Sequence, residues 1–246
     1  MKKKNGIIIA ICAVVVIIIA VVLITKNNSK PELATYNPDA NAAATKSGSN
    51  VGENSDGVNF TDIKVLSKYT FNEGDNYTMV LVLENTGKGN AAVAVVAKAI
   101  GSAEQVVGTE RKSIFMDPGA KSVVSLEFDN EKNEIKDDDY HLTVASATSI
   151  QPGITKITET HKINGQKVNV TSKNTANFDL LGVEAYVLFF DGDELVDVES
   201  EEVDDKASEV FEKGTTQEQK FDTDKQFKSV KVYYTQSQDK PDQEDD

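Results

Sequence analysis

Val183-Glu184-Ala185-Tyr186-Val187-Leu188-Phe189-Phe190-Asp191-Gly192-Asp193-Glu194-Leu195-Val196 reads as a β-hairpin. Val183 to Phe190 is a long apolar run of β-branched and aromatic residues, the types that suit a pleated, packed surface. Asp191-Gly192 then punctuates it, and Asp-Gly between apolar strands is the composition a tight hairpin turn favours.

The same texture extends in both directions. Upstream, Tyr77-Thr78-Met79-Val80-Leu81-Val82-Leu83 predicts a strand that is apolar on both faces. Val123-Val124-Ser125-Leu126-Glu127-Phe128 alternates, with Val124, Leu126 and Phe128 on one face. His141-Leu142-Thr143-Val144-Ala145 and Val168-Asn169-Val170 predict two more strands. Downstream, Lys228 to Tyr234 alternates Val230, Val232 and Tyr234. Short strands separated by Gly, Asn, Asp and Pro suggest sandwiches.

The pattern occurs twice. Leu83-Glu84-Asn85-Thr86-Gly87 lines up with Ser172-Lys173-Asn174-Thr175-Ala176, each between a strand and a further apolar run. Asp117-Pro118-Gly119 lines up with Glu212-Lys213-Gly214, and each opens a strand ending in Phe-Asp, at Phe128-Asp129 and Phe221-Asp222. The offset stays near about 90 residues, which predicts two tandem units rather than one large domain. Their join falls near Ile150-Gln151-Pro152-Gly153.

In the second unit the aromatic strand Val183 to Phe190 runs into the Asp191-Gly192 hairpin. An acidic strand, the Lys213-Gly214 turn and Val230-Lys231-Val232-Tyr233-Tyr234 follow. This arrangement resembles the FxLYD-type immunoglobulin-like sandwiches of membrane-anchored bacterial surface proteins. The resemblance covers residues 165–235. It is weaker over 58–150, where Ile100-Gly101-Ser102-Ala103 lacks the aromatic and the Asp. It implies an immunoglobulin-like fold, and its motif is structural rather than catalytic.

The N-terminus carries a different signal. Met1-Lys2-Lys3-Lys4-Asn5-Gly6 is basic, and Ile7 to Ile24 has no charged or strongly polar side chain. As a helix that run is about 27 Å long, close to the hydrocarbon thickness of about 30 Å. Lysines before the run favour an N-terminus inside the cell. The competing reading is a cleaved signal peptide, whose apolar region is usually shorter and ends at small residues. Ile24-Thr25-Lys26-Asn27 is a poor cleavage site, so retention is expected. Cys12 follows Ile9-Ala10-Ile11, which does not match a lipidation site, and reads as a small apolar residue within the span. From about Lys26 to Gly57, Asn, Ser, Ala, Gly and Pro lack apolar periodicity and predict a flexible stalk.

Charge and cysteine usage exclude several function classes. With 26 Lys and Arg against 40 Asp and Glu, the net charge is −14. That balance disfavours nucleic acid, anionic lipid head groups and anionic wall polymers, and permits cationic partners and divalent ions. Cys12 is the sole cysteine, so no disulfide can form within one chain. Exported domains that rely on packing alone point to a Gram-positive-like bacterial source.

Candidate chemistry is sparse. His141 and His161 lack metal-ligand spacing and read as surface or structural residues. No Gly-x-Ser-x-Gly or phosphate loop is present. From Asp191 to Glu212 eleven acids face a single lysine, Lys206. Two readings stay open: solvent-facing positions that keep a sheet edge soluble, or a Ca²⁺ site gathering Asp191, Asp193, Asp204 and Asp205. Asp129-Asn130-Glu131-Lys132-Asn133 with Asp137-Asp138-Asp139 is a second acidic stretch, without the glycine of a calcium loop. Tyr186, Phe189, Phe190, Tyr233 and Tyr234 read as core and rim rather than sugar platforms.

The expected architecture is all-β: two tandem immunoglobulin-like antiparallel β-sandwiches after an N-terminal transmembrane helix and flexible linker. The segments are a basic cytoplasmic stretch (1–6), the span (7–25), a disordered linker (26–57), sandwich 1 (58–150), sandwich 2 (151–238) and an acidic tail (239–246). The expected function is a non-enzymatic interaction module at the cell surface, with a structural spacer or envelope-assembly accessory as the alternative. No cofactor and no nucleic acid are expected. The membrane is engaged through residues 7–25 and a protein partner at the envelope is expected. The identity of that partner and the oligomeric state stay open.

Overall fold

The computed structural model describes residues 58–130, 134–148, 150–203 and 210–237. The predicted span, Cys12, the linker, the acidic tail and two of the calcium candidates, Asp204 and Asp205, lie outside the described residues. Among those described, no helix is long and apolar enough to cross a membrane.

The architecture is all-β and antiparallel. The first repeat supplies β1 (Ile63–Glu73), β2 (Asn76–Asn85), β3 (Ala91–Gly101), β4 (Val106–Met116), β5 (Lys121–Asp129) and β6 (Ile135–Ser146). The second supplies β7 (Ile157–Asn164), β8 (Lys167–Asn174), β9 (Leu180–Leu181), β10 (Val183–Asp191), β11 (Glu194–Glu202), β12 (Val210–Phe211), β13 (Thr216–Asp222) and β14 (Ser229–Ser237). In the first repeat the sheet β1-β2-β5 lies over the strands β4-β3-β6. In the second, β7-β8-β13 lies over β11-β10-β14 in the same order. β9 and β12 form a small additional ribbon.

Two asparagines show how closely the repeats correspond. Asn85 Nδ2 donates to the carbonyls of Gly89 and Met116, and its Oδ1 accepts from the Gly87 N–H. Asn174 Nδ2 donates to the carbonyls of Phe178 and Phe211, and its Oδ1 accepts from the Ala176 N–H. Both side chains are fully buried and satisfy backbone groups where a strand leaves its sheet. The N–H groups of Gly119 and Gly214 donate to the carbonyls of these same asparagines. Each glycine has a positive φ, 80° and 77°, as the turn preceding β5 or β13 demands.

The repeats share structure as well as topology. The end of β14 pairs with the end of β4, Gln236 opposite Phe115 and Ser237 opposite Ile114. A six-stranded sheet β11-β10-β14-β4-β3-β6 therefore runs through both repeats. The Thr235 hydroxyl on β14 accepts from the Val123 N–H at 3.2 Å and donates to the Val123 carbonyl at 2.6 Å. It thereby satisfies backbone groups of the edge strand β5.

A second core fills the space between the repeats. Val80, Val82 and Val123 of the first pack against Tyr186, Leu188, Phe190 and Leu195 of the second. Tyr69 meets Phe190 edge to face at 5.7 Å. Alternate side chains of a strand point to opposite faces. On β2, Met79, Leu81 and Leu83 thus enter the main core while Val80 and Val82 enter the second. On β10, Val183, Ala185, Val187 and Phe189 enter the main core, and Tyr186, Leu188 and Phe190 the second. Burial on two faces is the physical reason these two strands read as continuous apolar runs.

The join between the repeats is itself packed. Ile150 and Ile154 are buried, and the Gly153 N–H donates to Gln236 Oε1 at 3.2 Å. A Cβ on Gly153 would sit 2.7 Å from Leu180 Cδ2, so the chain approaches β9 more closely than a side chain permits.

Candidate functional site

Where β4 and β5 of the first repeat face β10 and β11 of the second, an open groove of about 430 Å³ remains. β4 contributes Glu110, Arg111 and Lys112, and β5 contributes Ser125, Leu126 and Glu127. The opposite wall carries Glu184 and Tyr186 of β10 with Val198, Glu199 and Ser200 of β11. The volume falls in the range of sites that hold a few side chains or a small molecule.

One hydrogen-bonded triangle links the walls. Lys112 Nζ donates to Glu184 Oε2 at 2.9 Å and to the Tyr186 hydroxyl oxygen at 2.7 Å. The Tyr186 hydroxyl donates to Glu184 Oε2 at 2.7 Å. Lys112 Nζ also lies 5.3 Å from the centre of the Tyr186 ring. Burial, and then the Glu184 carboxylate, push the Tyr186 hydroxyl well above its ordinary pKa. The phenol thus stays protonated and acts as a hydrogen-bond donor, with no tendency to act as a base or nucleophile near neutral pH. The groove carries four carboxylates, Glu110, Glu127, Glu184 and Glu199, against Arg111 and Lys112. Its balance is that of the whole chain, acidic, and its lining is mainly polar.

Of the calcium candidates, Asp191 and Asp193 lie within the described residues. Asp191 and Asp193 flank the β10–β11 turn, where Gly192 has φ 69°. Asp191 Oδ1 is paired with Lys228 Nζ at 2.5 Å. Val203, the last described residue of that segment, lies at the other end of that hairpin, about 30 Å away at the rise of a strand. There its N–H donates to the Val183 carbonyl at 2.8 Å. Among the described residues no group of three His, Cys, Asp or Glu side chains is placed to hold a metal ion.

The second acidic stretch has structural partners. Asn130 is buried; its Nδ2 donates to Asn72 Oδ1 and its Oδ1 accepts from the Ile135 N–H. Asp138 faces inward across the first sandwich, contacting Lys68 Nζ and accepting from the Tyr77 hydroxyl. His161 Nδ1 lies 2.7 Å from Glu159 Oε1 on the exposed strand β7. Tyr186, Phe189, Phe190 and Tyr234 are buried in the two cores, and Tyr233 is half-buried beside the second.

The sequence had a signal for the groove. Glu184 is the sole charged residue within Val183 to Phe190, and a charge in an apolar run needs a partner. That its partner is Lys112, on a strand of the other repeat, was not readable from spacing.

No protein-family model and no curated protein matches the chain. Among solved structures, red sea bream transglutaminase is similar at 13% identity and a TM-score of 0.24. The match covers 73% of this chain and 30% of that one, so the chain spans under a third of that enzyme's length. At that TM-score the likeness carries nothing over to this chain.

Proposed function

We propose that this chain is a membrane-tethered, extracytoplasmic, non-enzymatic interaction module. In this reading, residues 7–25 hold it in the cell membrane with the N-terminus inside. Two immunoglobulin-like sandwiches of the FxLYD kind present the groove between them to a protein partner at the cell surface. The observation that carries the reading is the groove itself. Its walls come from different repeats and are held in place by the second core and the Lys112–Glu184–Tyr186 triangle. A preformed concavity lined by polar and charged side chains suits recognition, because little ordering entropy is lost on binding. The excess of carboxylates favours a partner segment with basic side chains.

A photo-crosslinking residue tests this in native membranes. Placed at Ser200 in the groove, it is expected to capture a discrete protein partner. At Thr160, on the exposed face of β7, it is expected to capture none. Equal capture at both positions, or none at Ser200 in correctly folded protein, would refute the reading.

A structural spacer is the second reading, favoured by the shared sheet and second core that make the two repeats one unit. Exchange of both repeats for an unrelated rigid domain of equal length separates the two. A spacer keeps its role after the exchange, and an interaction module loses it.

A further inference from the structure

We propose that Lys68 and Asp138 condense to an intramolecular amide that staples the first strand of the first repeat to its last. The placement of the two side chains carries this. Lys68 on β1 and Asp138 on β6 belong to different sheets and meet across the interior of the sandwich. The Asp138 side chain is only 5% exposed and that of Lys68 26%. Lys68 Nζ touches Asp138 Oδ1, yet that oxygen accepts no hydrogen bond. The nitrogen and the carboxyl group are thus in direct contact, with no hydrogen bond made to Oδ1. The other oxygen, Oδ2, accepts a hydrogen bond from the Tyr77 hydroxyl. The Tyr140 ring lies beneath Lys68 Nζ at 5.8 Å from its centre and screens one side from water.

The chemistry balances within these groups. Within the contact, transfer of a proton from the ammonium to Oδ1 gives an amine beside a carboxylic acid. The Nζ lone pair forms the bond to Cγ, and charge gathers on Oδ2 under the Tyr77 hydrogen bond. The Cγ–Oδ1 bond then breaks. Oδ1 departs as water, carrying the transferred proton and a second proton from nitrogen. No oxidant, metal or co-substrate takes part. Holding amine and carboxyl in contact supplies the effective concentration that free amines and acids lack in water.

The second repeat provides an internal contrast. His161 pairs with Val170 at the place where Lys68 pairs with Leu81, and it cannot form such an amide. A staple in the first repeat alone fits the chain's cysteine usage. Cys12 is the sole cysteine, so no disulfide can tie first strand to last.

Mass spectrometry of the full-length protein after denaturation and proteolysis tests this. The expected result is a branched peptide joining the segment around Lys68 to the segment around Asp138, one water lighter than the two separate peptides. Tyr77→Phe is expected to slow its appearance in freshly made protein at least tenfold while the fold is kept, and Lys68→Arg to abolish it. Recovery of both unmodified peptides in full yield from aged wild-type protein overturns the proposal, whatever the variants do. A branched peptide that forms as fast in Tyr77→Phe overturns the role given to the phenol.

Discussion

Truncating Leu188 in the second repeat is expected to loosen the first. Leu188 is fully buried in the second core, where its neighbours include Val80, Val82 and Val123 of the other repeat. Leu188→Ala removes three carbons, worth about 2.4 kcal/mol at about 0.8 kcal/mol per buried methylene. A cavity penalty adds to this, because Tyr186 and Phe190 are anchored on the same strand and the space cannot close fully. The total is about 3–4 kcal/mol, inside the span seen for buried Leu→Ala changes. For a folded region of this size that lowers the melting temperature by roughly 6–16 °C. The decisive assay is hydrogen exchange on the full chain in detergent micelles, read at the amides of Val80, Val82 and Val123. If the repeats form one cooperative unit, those amides exchange faster by the factor their own repeat's global destabilisation implies. Two separate melting transitions, with only the second moved and exchange at Val80 unchanged, would refute the shared-core argument.

Asn85→Ala and Asn174→Ala are each expected to cost about 3–5 kcal/mol in urea denaturation, since each strands two carbonyls and an N–H inside the protein. A much smaller cost at either position would show that water reaches those groups. Gly182→Ala should destabilise far more than Gly192→Ala. Both have positive φ, but a Cβ at Gly182 falls 2.0 Å from the Ser237 carbonyl oxygen, whereas nothing lies within 4 Å at Gly192. The Gly192 change should cost about 1–2 kcal/mol, the price of the left-handed conformation alone. Alkali should unfold the protein early. Burial pushes the Tyr234 hydroxyl up to about 12, against about 10 in an unfolded chain. A raised native pKa means stability that is intact below about pH 10 and lost as pH climbs through about 12. Tyr77, Tyr186 and Tyr233 are shifted in the same direction, chiefly by burial. Tyrosinate absorbance and loss of strand signal are therefore expected to rise together. Tyr77, Tyr186 and Tyr234 ionising near 10 in a folded chain would contradict this.

Strand content was legible wherever a face was buried cleanly. β2, β5, β8, β10 and β14 coincide with the runs at Tyr77–Leu83, Val123–Phe128, Val168–Val170, Val183–Phe190 and Lys228–Tyr234. β4 was harder to read, because Glu110-Arg111-Lys112 interrupts its apolar residues at the place where it borders the groove. Asn85 and Asn174 stood out as alignment markers, while their bonding to carbonyls far along the chain depends on tertiary structure. The two-sided apolar character of β2 was visible in its sequence. What covers its second face was not, since the covering strand lies about a hundred residues away and local patterning holds no record of it. The acids after Asp191 form a dense cluster in sequence, but a strand extends them along its length. Among the described residues, density in sequence did not become convergence in space.

The joint between the repeats uses unlike surfaces: an edge of type β14 meets an edge of type β4, and the back of one sheet meets the back of a different one. Head-to-tail contacts of that kind leave a matching free surface at each end and, repeated, build open chains. Here the side chains halt the series. Lys162 and Asn169 pair in the second repeat where Tyr69 and Val80 pair in the first. The outer face of β7-β8-β13 thus carries charge and amide where the outer face of β1-β2-β5 carries an aromatic ring and valine. A module appended in register after the second would meet charge and amide where the second repeat meets an aromatic ring and valine.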